Sequence, residues 1–131
     1  MPRPSNRHEE RRPSARRRWR DYRTESGNRP VRDFLLELHS EDRTEVLAAM
    51  DEVAEIGMRA ARHLHGDIYE VRAERQRRIF RVLFAQEGRR GQVLLAVVGF
   101  VKKTQRTPED VIDLAIERLR DWRGRGKRHS V

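Results

Sequence analysis

The chain has 131 residues, of which 36% are hydrophobic and 39% charged, enough for one domain with a modest core and some unfolded chain at its ends. It has no cysteine, which excludes disulfides and cysteine-ligated zinc and fits a reducing cytoplasm. No apolar run approaches the roughly 18 residues that cross a bilayer, and the arginine-rich N-terminus lacks the apolar segment of a secretory signal.

The net charge is +9, and its distribution is more informative than its size. Residues 1–18 hold seven arginines against Glu9 and Glu10, and residues 123–131 add four cations with no acid. The segment between the two tails is neutral overall, yet 72–106 has ten cations against Glu74 and Glu87. Basic tails alone suggest loose, salt-sensitive polyanion binding. A cationic block inside the folded region suggests a specific anionic partner.

Residues 1–18 are polar, proline-containing and non-periodic, and are expected to be a disordered basic arm. The arm is either a solvated tail or an electrostatic contact to RNA. Trp19–Arg23 alternates as a first, edge strand, broken at Ser26-Gly27-Asn28. A helix follows from Pro30, with Val31, Phe34, Leu35 and Leu38 on one stripe. Ser40 is read as the cap of a second helix, with Val46, Leu47, Met50, Val53 and Ala54 on its apolar stripe and Gly57 as its stop. Residues 59–66 are read as a loop. Its His63 and His65 lack the further ligands a metal site requires, so no metal or cofactor is expected.

Strands are predicted at 68–73 and 78–84, joined by a charged turn at Arg75-Gln76-Arg77. After a hairpin loop at 87–91, the unbroken run Val93 to Val98, extended through Gly99, Phe100 and Val101, reads as a strand covered on both faces. Lys102 and Lys103 follow at its exit. Thr107-Pro108-Glu109-Asp110 then starts a last helix, whose stripe is Val111, Ile112, Ala115, Ile116, Leu119 and Trp122. Gly124 and Gly126 are expected to end it. The fold class is therefore α+β, in the order β-α-α-β-β-β-α. It comprises an N-terminal αα-hairpin, a small antiparallel-dominated sheet with helices on one face, and a C-terminal helix. The folded domain is expected at 19–123, with a flexible basic tail at 124–131.

Arg81 falls between Ile79 and Leu83, where an apolar residue would be the cheaper choice. If the phenylalanines of its strand face the helices, Arg81 and Arg72 lie on an open sheet face. With Arg78, Lys102 and Lys103 they would form a corner of fixed positive charge suited to phosphate. The alternative is that Arg72 pairs with Glu70 and the remainder is ordinary solvated surface. Such a cluster suits RNA cleavage by the strand's own 2′-OH, in which cations stabilise the phosphorane while a base and an acid move protons. The arginines can fill only the first role, and Lys102 or Lys103 is the candidate for proton exchange. Arg75, Arg77, Arg78 and Arg106 are the candidate RNA-binding residues. On this reading Arg81→Ala abolishes activity and leaves the fold intact.

Several segments together resemble the RelE/ParE toxin superfamily, specifically its phage-derived HigB-like branch. They are Trp19-Arg20-Asp21-Tyr22, Pro30-Val31-Arg32-Asp33-Phe34-Leu35, Tyr69-Glu70-Val71-Arg72, Phe80-Arg81-Val82-Leu83-Phe84, and the corner from Gly99 through Lys102, Lys103 and Arg106 to Pro108. They come in the family's order and span roughly 19–122. The resemblance implies a RelE-like fold and a type II toxin that cleaves mRNA, typically on the ribosome, and inhibits translation. It implies a cognate antitoxin partner, often a helix-turn-helix protein. It also carries catalytic roles to Arg72, Arg81, Lys102 and Lys103. The C-terminal histidine or tyrosine of several superfamily nucleases has no match here, since the only late histidine, His129, falls in the tail. A ParE-like, non-enzymatic inhibitor of DNA gyrase and a catalytically inactive RNA- or antitoxin-binding relative are the competing readings.

Overall fold

The structure, a computed structural model, describes residues 16–102 and 106–129. Most of the predicted N-terminal arm, the last two residues and Lys103 therefore lie outside the described residues. The elements run β1 (Arg18–Asp21), α1 (Pro30–Glu37), α2 (Ser40–Ile56), a 3-10 turn (Met58–Ala60), β2 (Arg62–His65), β3 (Ile68–Arg75), β4 (Arg78–Glu87), β5 (Val93–Lys102) and α3 (Glu109–His129). The strands form one five-stranded sheet in the order β1-β5-β4-β3-β2. β1 pairs with β5 in parallel and the other three pairings are antiparallel. The α+β class and the αα-hairpin are as the sequence indicates.

Both faces of the sheet are covered, not one. α1 and α2 pack against Val71, Ala73, Phe80, Val82, Phe84, Leu94 and Ala96. α3 lies on the opposite face, over Ile68, Leu83, Ala85, Leu95, Val97 and Val98. This is what the unbroken apolar run of β5 demands: its alternate residues enter two cores, and each fully buried Val or Leu contributes roughly 1.5–3 kcal/mol. A helix on one face alone would leave half of that run in water.

Further departures are local. β2 occupies the stretch read as a loop, because Gly66-Asp67 makes a tight hairpin back into β3. Arg16 and Arg17 belong to the folded part: Arg16 pairs with Asp51 and Glu55, and the Arg17 amide donates to Ala54 O. α3 does not stop at Gly124 but runs to His129. Ser40 is the first residue of α2 and not its cap. The end of α1 is instead satisfied from the next helix, where Arg43 donates to the carbonyls of Leu35, Leu36 and Leu38 at 2.8, 3.2 and 2.9 Å.

A β-bulge decides which way the end of β5 faces. Leu83 pairs with Val98 but Phe84 pairs with Ala96, leaving Val97 as the extra residue. The bulge puts Val97 and Val98 in the same core and moves Phe100 and Lys102 to the α3 side. Arg118 of α3 donates to Val97 O at 2.7 Å, so a polar group displaced from the ladder is satisfied. Burial pushes the Arg118 guanidinium below its usual pKa.

The bulge also turns Gly99 toward α1, where a Cβ would overlap the ring of Phe34. Gly99→Ala is expected to destabilise the protein by about 1–3 kcal/mol, as overpacking does. Urea unfolding measures this, and a companion Phe34→Leu should recover part of the loss.

Candidate active site

The site lies on the α3 face at the open ends of β3, β4 and β5. Register fixes three adjacent rows across the strands: Arg62–Glu70–Leu83–Val98, then Arg72–Arg81–Phe100, then Glu74–Ile79–Lys102. Arg72 and Arg81 are thus direct cross-strand partners, and Lys102 is a diagonal neighbour of Arg81, with roughly 7–8 Å between backbone positions.

Arg81 is not on an open face. It is 0% exposed, sealed by the start of α3 and with its guanidinium 5.8 Å from the Phe100 ring centre. A buried charge needs partners, and here they form one closed network. Arg81 Nη1 donates to Thr107 Oγ1 at 2.9 Å and lies 3.9 Å from Glu70 Oε2. The Thr107 hydroxyl in turn donates to Glu70 Oε2. The other Glu70 oxygen, Oε1, accepts Arg72 Nε at 2.6 Å. Thr107, expected to cap the last helix, has its hydroxyl committed to this network instead. Burial pushes the Arg81 guanidinium below its usual pKa and repulsion from Arg72 and Arg62 adds to that, while Glu70 opposes. An arginine stays charged nonetheless.

Above this network is an open cavity of about 340 Å³ lined by Arg62, Leu64, Arg72, Arg106, Thr107 and Ile112. Three arginines therefore line one recess, and Leu64 and Ile112 give it an apolar wall. The buried Glu70 fixes Arg72, whose side chain is 20% exposed. An arrangement like this can hold a phosphate group by charge-assisted hydrogen bonds.

The sequence-predicted residues are thus only partly brought together. Arg72, Arg81 and Lys102 share a face, and Arg106 joins Arg72 at the cavity. Arg75 and Arg78 do not join them: they lie on the α2 side, where both hold the buried Asp42. Arg75 Nη1 reaches Asp42 Oδ1 at 2.9 Å and Arg78 Nη2 reaches Oδ2 at 2.8 Å, with Glu41 also on Arg75. The expected corner containing Arg78 is therefore split between the two faces. Arg77 sits in the hairpin turn, where it and Gln76 both adopt positive φ (68° and 53°). Of the loop histidines, His63 bonds Gly66 O at 2.8 Å and packs against Tyr69.

Burial alone would raise the Asp42 carboxyl, but Arg75 and Arg78 outweigh it and hold its pKa below the ordinary 3.8. A group depressed in the folded state stabilises above its unfolded pKa and stops doing so as pH falls through the folded value. Melting temperature is therefore expected to drop on acidification below about pH 4. Asp42→Asn should flatten that part of the profile, and an unchanged acid limb would count against the pairing.

Arg62 escaped the sequence reading because its segment was taken for a loop. The Arg62-His63-Leu64-His65 alternation before Gly66-Asp67 was the available signal. Glu70 was read as a surface partner of Arg72 and not as the buried anchor of two arginines.

The phage derived protein Gp49-like family matches residues 33–120, a span that includes the latter part of α1, all of α2, β2 to β5, every cavity residue and the first half of α3. Two relatives, both named "Probable endoribonuclease HigB1" and from two strains of Mycobacterium tuberculosis, are each 30% identical over 114 residues. Each alignment covers 85% of this chain and 89% of the relative. With the motifs in order and the fold that links them, this chain belongs to the phage-derived Gp49-like family, within the HigB-like branch of the RelE/ParE toxins.

Proposed function

We propose that this protein is the toxin of a type II toxin–antitoxin pair and an endoribonuclease that cleaves mRNA, on the ribosome, to inhibit translation. Its partners on this reading are mRNA, the ribosome and a cognate helix-turn-helix antitoxin, and it works in the cytoplasm. Among the described residues, no helix is long and apolar enough to cross a membrane. The observation that carries the reading is the recess in which Arg62, Arg72 and Arg106 converge over a buried Arg81–Glu70–Thr107 network. The name borne by the relatives supports the same chemistry.

In the proposed reaction the RNA 2′-oxygen bonds to phosphorus, the P–O5′ bond breaks, and a 2′,3′-cyclic phosphate and a 5′-hydroxyl result. Arg72, Arg62 and Arg106 hold the phosphate and offset the charge that builds on its equatorial oxygens. Arg81 acts from beneath as a positioning residue, aligning Thr107 and Glu70 and through them Arg72. Lys102 and Lys103, at the exit of β5, exchange the protons of the attacking and leaving oxygens. Arg77, at the hairpin tip, extends the cationic surface for the strand, whereas Arg75 and Arg78 are held by Asp42.

The test is expression of the chain alone, with transcript 5′ ends and plasmid supercoiling followed together, and cleavage assayed in vitro with EDTA present. Cuts within translated messages, 5′-hydroxyl ends, EDTA-resistant activity and normal supercoiling are expected. Trapped gyrase–DNA breaks with intact messages would overturn the reading in favour of a gyrase inhibitor. Intact messages and normal supercoiling together would mark an inactive relative.

A further inference from the structure

The opposite edge of the sheet carries a second recess, one the reaction does not use. It measures about 490 Å³ and is walled by both tryptophans of the chain, Trp19 and Trp122, with Arg20, Arg23, Arg29 and Arg125 around them. Two of the guanidiniums are fixed in the wall. Arg29 forks onto Asp21 at 2.9 and 2.7 Å, and Arg125 bonds Asp121 at 3.0 Å and also the Arg23 carbonyl. Arg20 and Arg23 are exposed at the mouth, and the Arg20 guanidinium stacks 5.2 Å from the Trp122 ring centre.

Planar stacking surfaces interleaved with fixed and mobile cations are what unpaired nucleotides bind: bases stack on indole and guanidinium planes while phosphates take the charge. An apolar protein helix would find little here beyond the two indoles. We propose that this recess is a second single-stranded RNA site, stacking a base on the Arg20–Trp122 platform and taking flanking phosphates on Arg20 and Arg23. The inference rests on the reading of the first cavity as the cleavage site, because it treats the two as ends of one track. α3 links them, with Ile112 at the first cavity and Trp122 and Arg125 at the second. At 1.5 Å per residue the separation is roughly 15–20 Å, about four to six stacked nucleotides at about 3.4 Å each. The cleavage site would thus accept any short RNA, while a strand long enough to reach the second recess would bind more tightly and in a fixed register.

The two tryptophans make the recess its own reporter. Trp19 is committed, its indole N–H donating to Met50 O at 2.7 Å and its ring packed edge-on to Phe84, so Trp122 supplies the responsive signal. The experiment titrates the full chain with a twelve-nucleotide 2′-O-methyl oligouridylate, whose blocked hydroxyl prevents cleavage, and reads tryptophan fluorescence alongside the anisotropy of a labelled strand. Saturable quenching is expected, lost in Trp122→Phe and retained in Arg72→Ala. In Arg20→Ala/Arg23→Ala, binding of the twelve-mer should weaken at least tenfold and its log–log salt slope should fall by about 1.4, about 0.7 per phosphate contact. A three-nucleotide strand should bind parent and double variant alike. Absent quenching, quenching that survives the double variant, or equal quenching by a polyglutamate of matched charge would overturn the proposal. Anisotropy unaffected by Arg72→Ala, with the tryptophan signal intact, would instead count against the first cavity.

Discussion

Arg81→Ala is expected to lower the unfolding free energy by about 3–5 kcal/mol, the range seen when one partner of a buried ion pair is removed. The side chain is completely buried, so truncation leaves a hole, removes the Arg81 charge from Thr107 Oγ1 and Glu70 Oε2, and leaves Arg72 alone on the buried carboxylate. Set against a total stability of about 5–15 kcal/mol, that loss is between a fifth and the whole of it, and with a total of about 5 kcal/mol the variant is largely unfolded. Toxicity would then vanish through loss of the fold and not through loss of a phosphate ligand. The expectation of an intact but inactive variant suits an exposed arginine and does not survive the burial of this one. Urea unfolding of Arg81→Ala, Glu70→Leu and an Arg81→Met/Glu70→Leu pair decides the matter. The pair removes both charges and should unfold later than either single variant, since apolar replacements of buried ion pairs are often neutral or stabilising. An Arg81→Ala protein as stable as the parent would show that the network carries no structural weight.

Arg72→Ala should separate activity from stability. Its guanidinium lines the cavity and is partly solvated, and without it Glu70 still keeps Thr107 and Arg81. The loss of one charged hydrogen bond is expected to take about 1–3 kcal/mol from stability, leaving a folded protein. Cleavage should fall by about 10² to 10³-fold, as for removal of one preorganised donor to a developing negative charge. The loss should lie mainly in kcat, because the interaction strengthens as charge builds on the phosphate. Arg72→Lys should recover only part of the rate, since a single ammonium cannot fork onto two oxygens. A folded Arg72→Ala protein that cleaves within a few-fold of the parent would remove the cavity from the mechanism.

The elements that were legible in the residues share one property: their signal is local. The i, i+3, i+4 stripe of Val31, Phe34 and Leu35, the alternation around Phe80, Val82 and Phe84, and the unbroken β5 run each report a period that the backbone itself imposes. The β5 run also carried a tertiary message, since a strand apolar on consecutive residues requires cover on both faces. That requirement conflicts with placing all helices on one side, and the position of α3 resolves it. The cationic row was half legible. Arg72 and Arg81 do share a face, because they are direct partners in the β3–β4 register and cross-strand partners project to the same side of a sheet. Whether that face was open depended on where α3 landed, which no local pattern states.

The order and type of the main elements, the αα-hairpin, the two-sided burial of β5 and the placement of cations near its exit follow from the amino-acid sequence by itself. These depend on short-range periodicity and turn chemistry. Only the tertiary structure decided that Arg81 is buried, that Arg75 and Arg78 serve Asp42 on the far face, that Arg62 joins Arg72 and Arg106, and that one bulge puts Lys102 on the same sheet face as Arg72 and Arg81. The reason is electrostatic and geometric. A guanidinium reads identically in sequence whether it meets water, a carboxylate or a phosphate, and its neighbours, which for Arg81, Arg75 and Arg78 include groups 26, 33 and 36 residues away along the chain, determine which.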